Sequence, residues 1–303
     1  MHVAKTKPLC SIVILVALAA CGGGGSDGGS NGGGGSASST PQAATGFAQP
    51  TDQIRTNVLF SQPDGSLMNR TDDVVTTDAM PLTVRLSGGG QTQIYFRLNG
   101  TEYFAQTASG GDNYFLEQTV NGQRTQTTFN RQLTTPSGVV EGGYLVVRFP
   151  DTPDLDIIAG HIVYGFDTDP ATIAAETGSA TYTGSIRANG YQGGNVSSAS
   201  GTITLNATFD STDTVSGNFN LGSLSGMTGA ENYTLNTGDI SGNGFDGTIS
   251  VVGSLQSGQT LQSATYDGNF YGADAEAVGG TIIMTIIDGA ETPIYVQGAF
   301  VAD

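Results

Sequence analysis

From Gly178 to Asp303 the chain alternates apolar and polar side chains with period two, and turn residues interrupt the alternation every eight to twelve positions. Only an extended backbone turns successive side chains to opposite faces, so the pattern specifies strands and leaves no room for a sustained helix. Eight strands are expected, over residues 180–189, 201–210, 215–221, 232–241, 245–255, 263–271, 280–287 and 292–301. In the second, Ile203, Leu205, Ala207 and Phe209 share one face while Thr202, Thr204, Asn206 and Thr208 share the other. The apolar row belongs to a core and the Thr/Asn row to water. The fifth repeats the split, with Phe245, Gly247, Ile249, Val251, Gly253 and Leu255 set against Asp246, Thr248, Ser250 and Ser254. Its glycines fit the bends of a small closed barrel.

Eight such strands can bury one apolar face against itself, and closure removes the edges on which an open sheet would aggregate. Closure requires the last strand, with Ile294, Val296, Gly298 and Phe300 on one face, to pair with the first near Tyr182, Gly184 and Ile186. The segment 178–303 is then expected to fold alone as a monomer.

Residues 46–170 are also strand-like but less regular. Their clearest element is a hairpin in which residues 115–120 and 123–129 flank Asn121-Gly122, the preferred pair for a tight primed turn. Further strands are expected at 95–98, 101–107, 144–149 and 157–166. The Ala-rich stretch 170–176 can hold a turn or two of helix, and the Asp-Pro and Thr-Gly signals between Asp167 and Gly178 mark a junction. The expected class is all-β, a C-terminal eight-stranded antiparallel β-barrel (178–303) preceded by a smaller, less regular antiparallel β lobe (46–170).

At the amino terminus Lys5 and Lys7 precede an apolar run over 9–18 that ends in Leu18-Ala19-Ala20-Cys21. This order reads as a secretory signal peptide over 1–20, and the run falls well short of the roughly 20 residues that span a bilayer. The last four residues resemble the bacterial lipobox. That resemblance implies a thioether lipid on Cys21, cleavage before it and acylation of the new amino terminus. Residues 22–36 contain only Gly, Ser, Asp27 and Asn31, and a Ser/Ala/Thr/Pro-rich stretch follows to 45. No core can form from such a composition, so 21–45 is expected to be a lipidated flexible tether with an end-to-end distance on the order of 27 Å. By analogy with known sorting rules, Gly22 after the lipidated cysteine favours the outer membrane.

The two cysteines are Cys10 and Cys21, so a processed head has no thiol, disulfide or cysteine metal ligand. Net charge is −17, and without Lys5 and Lys7 it becomes −17 − 2 = −19. Nucleic acid is excluded as a partner on that balance. Between Ala188 and Asp303 stand eleven acidic residues and no basic one.

No motif carries chemistry in a supporting context. Gly242, Gly244 and Gly247 have the spacing of a pyrophosphate-binding turn but fall between two strands, without the helix that would complete it. Gly28, Ser30 and Gly32 have nucleophile-elbow spacing inside the low-complexity tether. His161 sits in the alternating run 157–166, where a strand histidine with a satisfied ring is preferred over a triad member. Asp151, Asp154, Asp156, Asp167 and Asp169 lack the glycine and terminal glutamate of an EF-hand loop and read as solvated carboxylates. No catalytic, cofactor-binding or metal-binding residue is assigned. Tyr95, Tyr103, Tyr114, Phe115 and Tyr144 would mark a binding surface if they clustered exposed at one end of the front lobe, and core packing is the competing reading.

The stretch Tyr266-Asp-Gly-Asn-Phe-Tyr-Gly-Ala-Asp-Ala-Glu-Ala-Val-Gly-Gly280, closing with Gly298-Ala-Phe300, resembles the terminal barrel of the transferrin-binding protein B family, whose relatives include factor H-binding protein. Gly178-Ser-Ala-Thr-Tyr-Thr-Gly184 likewise resembles the family's first barrel strand. The resemblance covers 178–303 and implies an eight-stranded barrel on a surface lipoprotein that binds and does not catalyse. No family contact motif matches in the front lobe. The functional expectation is a membrane-anchored, surface-exposed outer-membrane lipoprotein, monomeric and without cofactor, held by lipid on Cys21 and binding a protein or small solute. The alternative is a structural or adhesive cell-envelope lipoprotein with no discrete ligand. A membrane-spanning barrel is opposed by the lipid anchor, the short strands and the Thr/Asn face.

Overall fold

A computed structural model describes residues 54–61, 83–87, 91–98, 101–106, 113–120, 123–148 and 157–303 apart from 194, 223, 225, 226 and 291. Cys21 and the tether lie outside the described residues, as do Asp151, Asp154 and Asp156. In chain order the elements are β1 (Ile54–Ser61), β2 (Thr83–Ser87), β3 (Gln91–Leu98), β4 (Thr101–Gln106), β5 (Asn113–Val120), β6 (Gln123–Thr134), β7 (Val140–Arg148) and β8 (Ile157–Phe166). After α1 (Pro170–Ile173) come β9 (Gly178–Gln192), β10 (Asn195–Phe209), β11 (Thr214–Asn220), β12 (Asn232–Ser241), β13 (Gly244–Val252), β14 (Thr260–Tyr271), β15 (Ala277–Ile287) and β16 (Pro293–Ala302). Strands β9 to β16 form a closed antiparallel barrel, β1-β8-β7-β6-β5 a five-stranded sheet and β2-β3-β4 a three-stranded one. The expected class is the observed one, with β1 and β2 as strands the sequence reading did not include.

Closure occurs where the alternation requires it. The last strand pairs with the first, Phe300 opposite Ile186 and Ala302 opposite Gly184. Inside, Ile186, Ile203, Leu205, Phe219, Tyr233, Phe245, Phe270, Ile282, Val296 and Phe300 form one buried cluster. Rings of Phe219 and Tyr233 stack at 4.8 Å, and Phe245 meets Phe270 edge-on at 5.3 Å. Both mouths are plugged. Leu224, Met227 and Ala230, from the β11–β12 connection, join the core at one end, and Ile173 of α1 joins it with Ala275. Asp169 caps α1 by accepting from the Ala171 amide at 2.9 Å. Outside, polar side chains hydrogen-bond across strands, Asn220 donating to Thr202 at 2.8 Å and Asn236 to Thr248 at 2.9 Å. An apolar interior behind a polar outer wall is the reverse of a lipid-facing barrel.

Strands β15 and β16 depart from this rule, being buried on both faces along most of their length. The five-stranded sheet covers their outer side: Leu133, Val139, Val140 and Val163 pack with Tyr271, Ala277, Ala299 and Val301 in a second core cluster. Ser137 donates its amide to the Asp303 carboxylate at 2.9 Å, and Thr168 donates to the Gly272 carbonyl at 2.8 Å. This overlay bears on the expectation that 178–303 folds alone as a monomer. Cut free, that segment exposes Tyr271, Ala277, Ala299 and Val301 as an apolar strip, and it is expected to associate through them.

Candidate functional site

Two places in the fold gather polar groups or open backbone. The first is the seam between the five-stranded sheet and the barrel. Strand alternation turns Tyr144 of β7 and His161 of β8, paired neighbours, toward β9, where Asn189 and Tyr191 point outward from the barrel. The Tyr144 and Tyr191 hydroxyls meet at 3.1 Å, Asn189 Nδ2 lies 3.3 Å from His161 Nε2, and Ser198 donates to Asn189 Oδ1 at 2.6 Å. With its Oδ1 engaged by Ser198, the Asn189 amide donates to the ring, so Nε2 accepts and His161 is neutral. Complete burial depresses its pKa to about 3. Burial likewise raises the Tyr144 hydroxyl far above its usual range, with Tyr191 adding to the shift. Next to Asn189 in the barrel wall, Gln297 is fully buried, and neither atom of its amide has a hydrogen-bond partner. Buried and neutral, His161 serves the lobe interface; no nucleophile stands against it among these contacts.

The second place is a slot in the barrel wall. Strand β13 is paired with β14 only from Gly244–Asn269 to Thr248–Thr265. Beyond that point the strands part, although β13 stays paired with β12 through Val252 and β14 with β15 through Thr260. A register shift against β15 leaves Gln262 as an extra residue, and such a bulge bends its strand. The connecting loop is tied elsewhere: the Gln256 amide donates to the Thr228 carbonyl at 3.1 Å, and the Gln259 side chain donates to the Met227 carbonyl. What remains is an open depression of about 390 Å³ lined by Ile249, Ser250, Val251, Leu255, Gln259 and Leu261. The last pair before the opening is Thr248 with Thr265, and two residues further along the ladder Asp246 stands opposite Asp267.

The other residues singled out in the sequence have structural employment. Gly242 makes the β12–β13 turn with φ of +62°, and a Cβ on Gly247 would stand 2.5 Å from the Tyr266 hydroxyl. That hydroxyl donates to the Asn236 carbonyl at 2.6 Å, with the Val215 carbonyl at 3.2 Å as the second acceptor in reach of its one proton, and burial raises its pKa to about 12. Asp167 accepts from Asn243. Among the described residues no group of three or more His, Cys, Asp or Glu is placed to hold a metal. Of the five aromatics, Phe115 is exposed at 54 % and Tyr144 faces the barrel; nothing further is described for the side chains of Tyr95, Tyr103 and Tyr114. The slot had no signal in the sequence beyond a strand that alternates as its neighbours do.

Residues 174–303 match the family described as C-lobe and N-lobe beta barrels of Tf-binding protein B, over the same span in which the closed eight-stranded barrel is found. Over this span the chain is similar to that family of barrels. Among solved structures, a double mutant of transferrin-binding protein B from Haemophilus parasuis is 16 % identical with a TM-score of 0.48, covering 82 % of this chain and 44 % of the other. The isotype 1 transferrin-binding protein B of serogroup B Neisseria meningitidis is 16 % identical with a TM-score of 0.39, covering 75 % and 52 %. The chain thus spans about half the length of either structure. No curated protein matches it.

Proposed function

We propose that the chain is a lipid-anchored, surface-displayed module that binds a protein and catalyses nothing. The organisation behind this reading is a signal peptide over 1–20, lipid on Cys21 with a tether to 45, a β lobe over 46–170 and the barrel over 178–303. The observation that carries it is the barrel's construction. A barrel whose interior is filled with aromatic and aliphatic side chains, and whose mouths are plugged by Met227 and Ile173, has no room for a solute at its axis. Recognition is left to its outer wall and loops and to the front lobe, which suits a protein ligand. The similarity of residues 174–303 to barrels of a protein named for transferrin binding supports the same class of partner.

Two measurements test the reading. Cells expressing the full chain should incorporate labelled palmitate into it and lose it to protease added outside, while Cys21→Ser should carry no label. Labelled Cys21→Ser protein, or a wild-type chain protected on intact cells but cut after lysis, sinks the anchored-surface claim. The lipid-free full head should form a stoichiometric complex with a soluble host protein, transferrin being the first candidate, in sedimentation velocity.

A further inference from the structure

We infer that the seam between the five-stranded sheet and the barrel is a jaw: the sheet lifts from the barrel at the Tyr144–Tyr191 end while it stays hinged at the Val163–Val301 end. The two ends of the seam are built differently. At the hinge, Val140 and Val163 cluster with Tyr271, Ala277, Ala299 and Val301, so closely that a Cβ on Gly279 would stand 2.6 Å from Val163 Cγ1. The chain itself crosses from sheet to barrel here. Asp167 and Tyr271 form an isolated antiparallel bridge, and the Thr168 hydroxyl donates to the Gly272 carbonyl at 2.8 Å. A covalent crossing, an apolar cluster and these bonds hold this end shut.

The apolar cluster stops part-way along the seam. Side chains two apart on a strand share a face, so the next position after Ala299 toward the other end is Gln297, and the next after Val163 is His161. From there the contacts are polar, His161 meeting Asn189 and the Tyr144 hydroxyl meeting that of Tyr191 at 3.1 Å. Gln297, opposite Asn189 in the β16–β9 ladder, is fully buried, and neither its amide nitrogen nor its amide oxygen has a hydrogen-bond partner. A carboxamide held away from water without partners is a standing cost of the closed seam, and the cost vanishes once water reaches the group. The amide therefore works against closure at the end that no apolar cluster holds. Opening there breaks no ladder, because sheet and barrel share none. It frees the amides of Gln297 and Asn189 and the hydroxyls of Tyr144 and Tyr191, neutral donors and acceptors that the closed head conceals.

The test uses the full lipid-free head from residue 21, in which Cys21→Ser leaves no thiol. Two buried alanines then take single cysteines, Ala159→Cys on the sheet face one row past His161 and Ala277→Cys at the hinge. In the folded head the Ala159→Cys thiol should react with a neutral maleimide about a hundredfold faster than the Ala277→Cys thiol, at a rate that low urea barely changes, because a local opening exposes little surface. Adding Gln297→Leu removes the unpaired amide at similar volume. It should slow the Ala159→Cys reaction about tenfold or more and raise the urea midpoint, while Ala277→Cys still reacts only through global unfolding. Equal labelling of the two sites overturns the inference, as does a urea dependence at Ala159→Cys as steep as that of global unfolding. A Gln297→Leu head that is less stable than its parent, or that labels at Ala159→Cys as fast as before, overturns it too.

Discussion

Strands β10 and β15 belong to one barrel wall, yet β10 buries every second residue along its core-facing half and β15 buries nearly all of them. The difference lies outside the barrel. Around β10 the outer neighbours are hydroxyls and amides in contact with water; around β15 and β16 they are Val140, Val163 and the rest of the overlying sheet. A barrel closes by satisfying its inner face, and its outer face is then free to be solvent surface in one sector and lobe interface in another. The two sectors should respond differently to change, because a side chain in the covered sector is held from both sides.

The largest effect is expected from deleting residues 292–303. This removes β16, opens both ladders it joins and strips the sheet of part of its footing. Cooperative unfolding should disappear in calorimetry, and a truncated chain that melts cooperatively near the parent temperature would refute closure as the organising contact. Next comes Phe300→Ala, inside the barrel beneath the covered sector, expected to cost about 3–5 kcal/mol in urea unfolding.

An intermediate effect belongs to His161 in the covered sector. Its folded pKa, about 3, lies below the roughly 6.5 of an unfolded chain, so the unfolded state binds the extra proton between those values. Its contribution is intact above pH 6.5 and is lost as pH falls toward 3. By pH 5 the loss should be about 2 kcal/mol. His161→Gln should flatten the stability profile over that interval, and an unchanged slope would show that the histidine is not the group responsible. The smallest effect is expected from Thr204→Ala on the open sector, where unfolding should shift by no more than about 0.5 kcal/mol. A loss comparable to that of Phe300→Ala would erase the distinction between the sectors.

The barrel was legible because its information is local. Residues 232–241 carry both the alternation and the turn signals that bound β12, and the structure places that strand at Asn232–Ser241. The near-continuous apolar run of β15, Ile282-Ile283-Met284 with Ile286-Ile287, marks a strand covered on both faces and so carries a local sign of the second layer. Strand β1 was missed although Ile54, Thr56, Val58 and Phe60 recur with period two. Its partner is β8, about a hundred residues away, and no turn signal links them. The slot was invisible for a related reason. Nothing in Leu261-Gln262-Ser263 announces that one residue will be extruded from the ladder, because a bulge is decided by the strands on either side. His161 was read as a structural residue, and its burial agrees; that Asn189 would be its partner depends on how the lobes dock.

The bond from Ser137 to Asp303 spans 166 positions and ties the β6–β7 turn to the residue that follows β16. Much of the cover for the sheet's barrel-facing side comes from Ala277, Ala299 and Val301 of β15 and β16, and the barrel can close only once β16 has reached β9. A chain emerging from its amino-terminal end therefore cannot complete the lobe interface or the barrel until β16 is free. Such distant contacts make folding slow and late, so the polypeptide stays unfinished for as long as its carboxyl end is held. Under the export proposed above, that delay would keep the chain threadable until β16 is released.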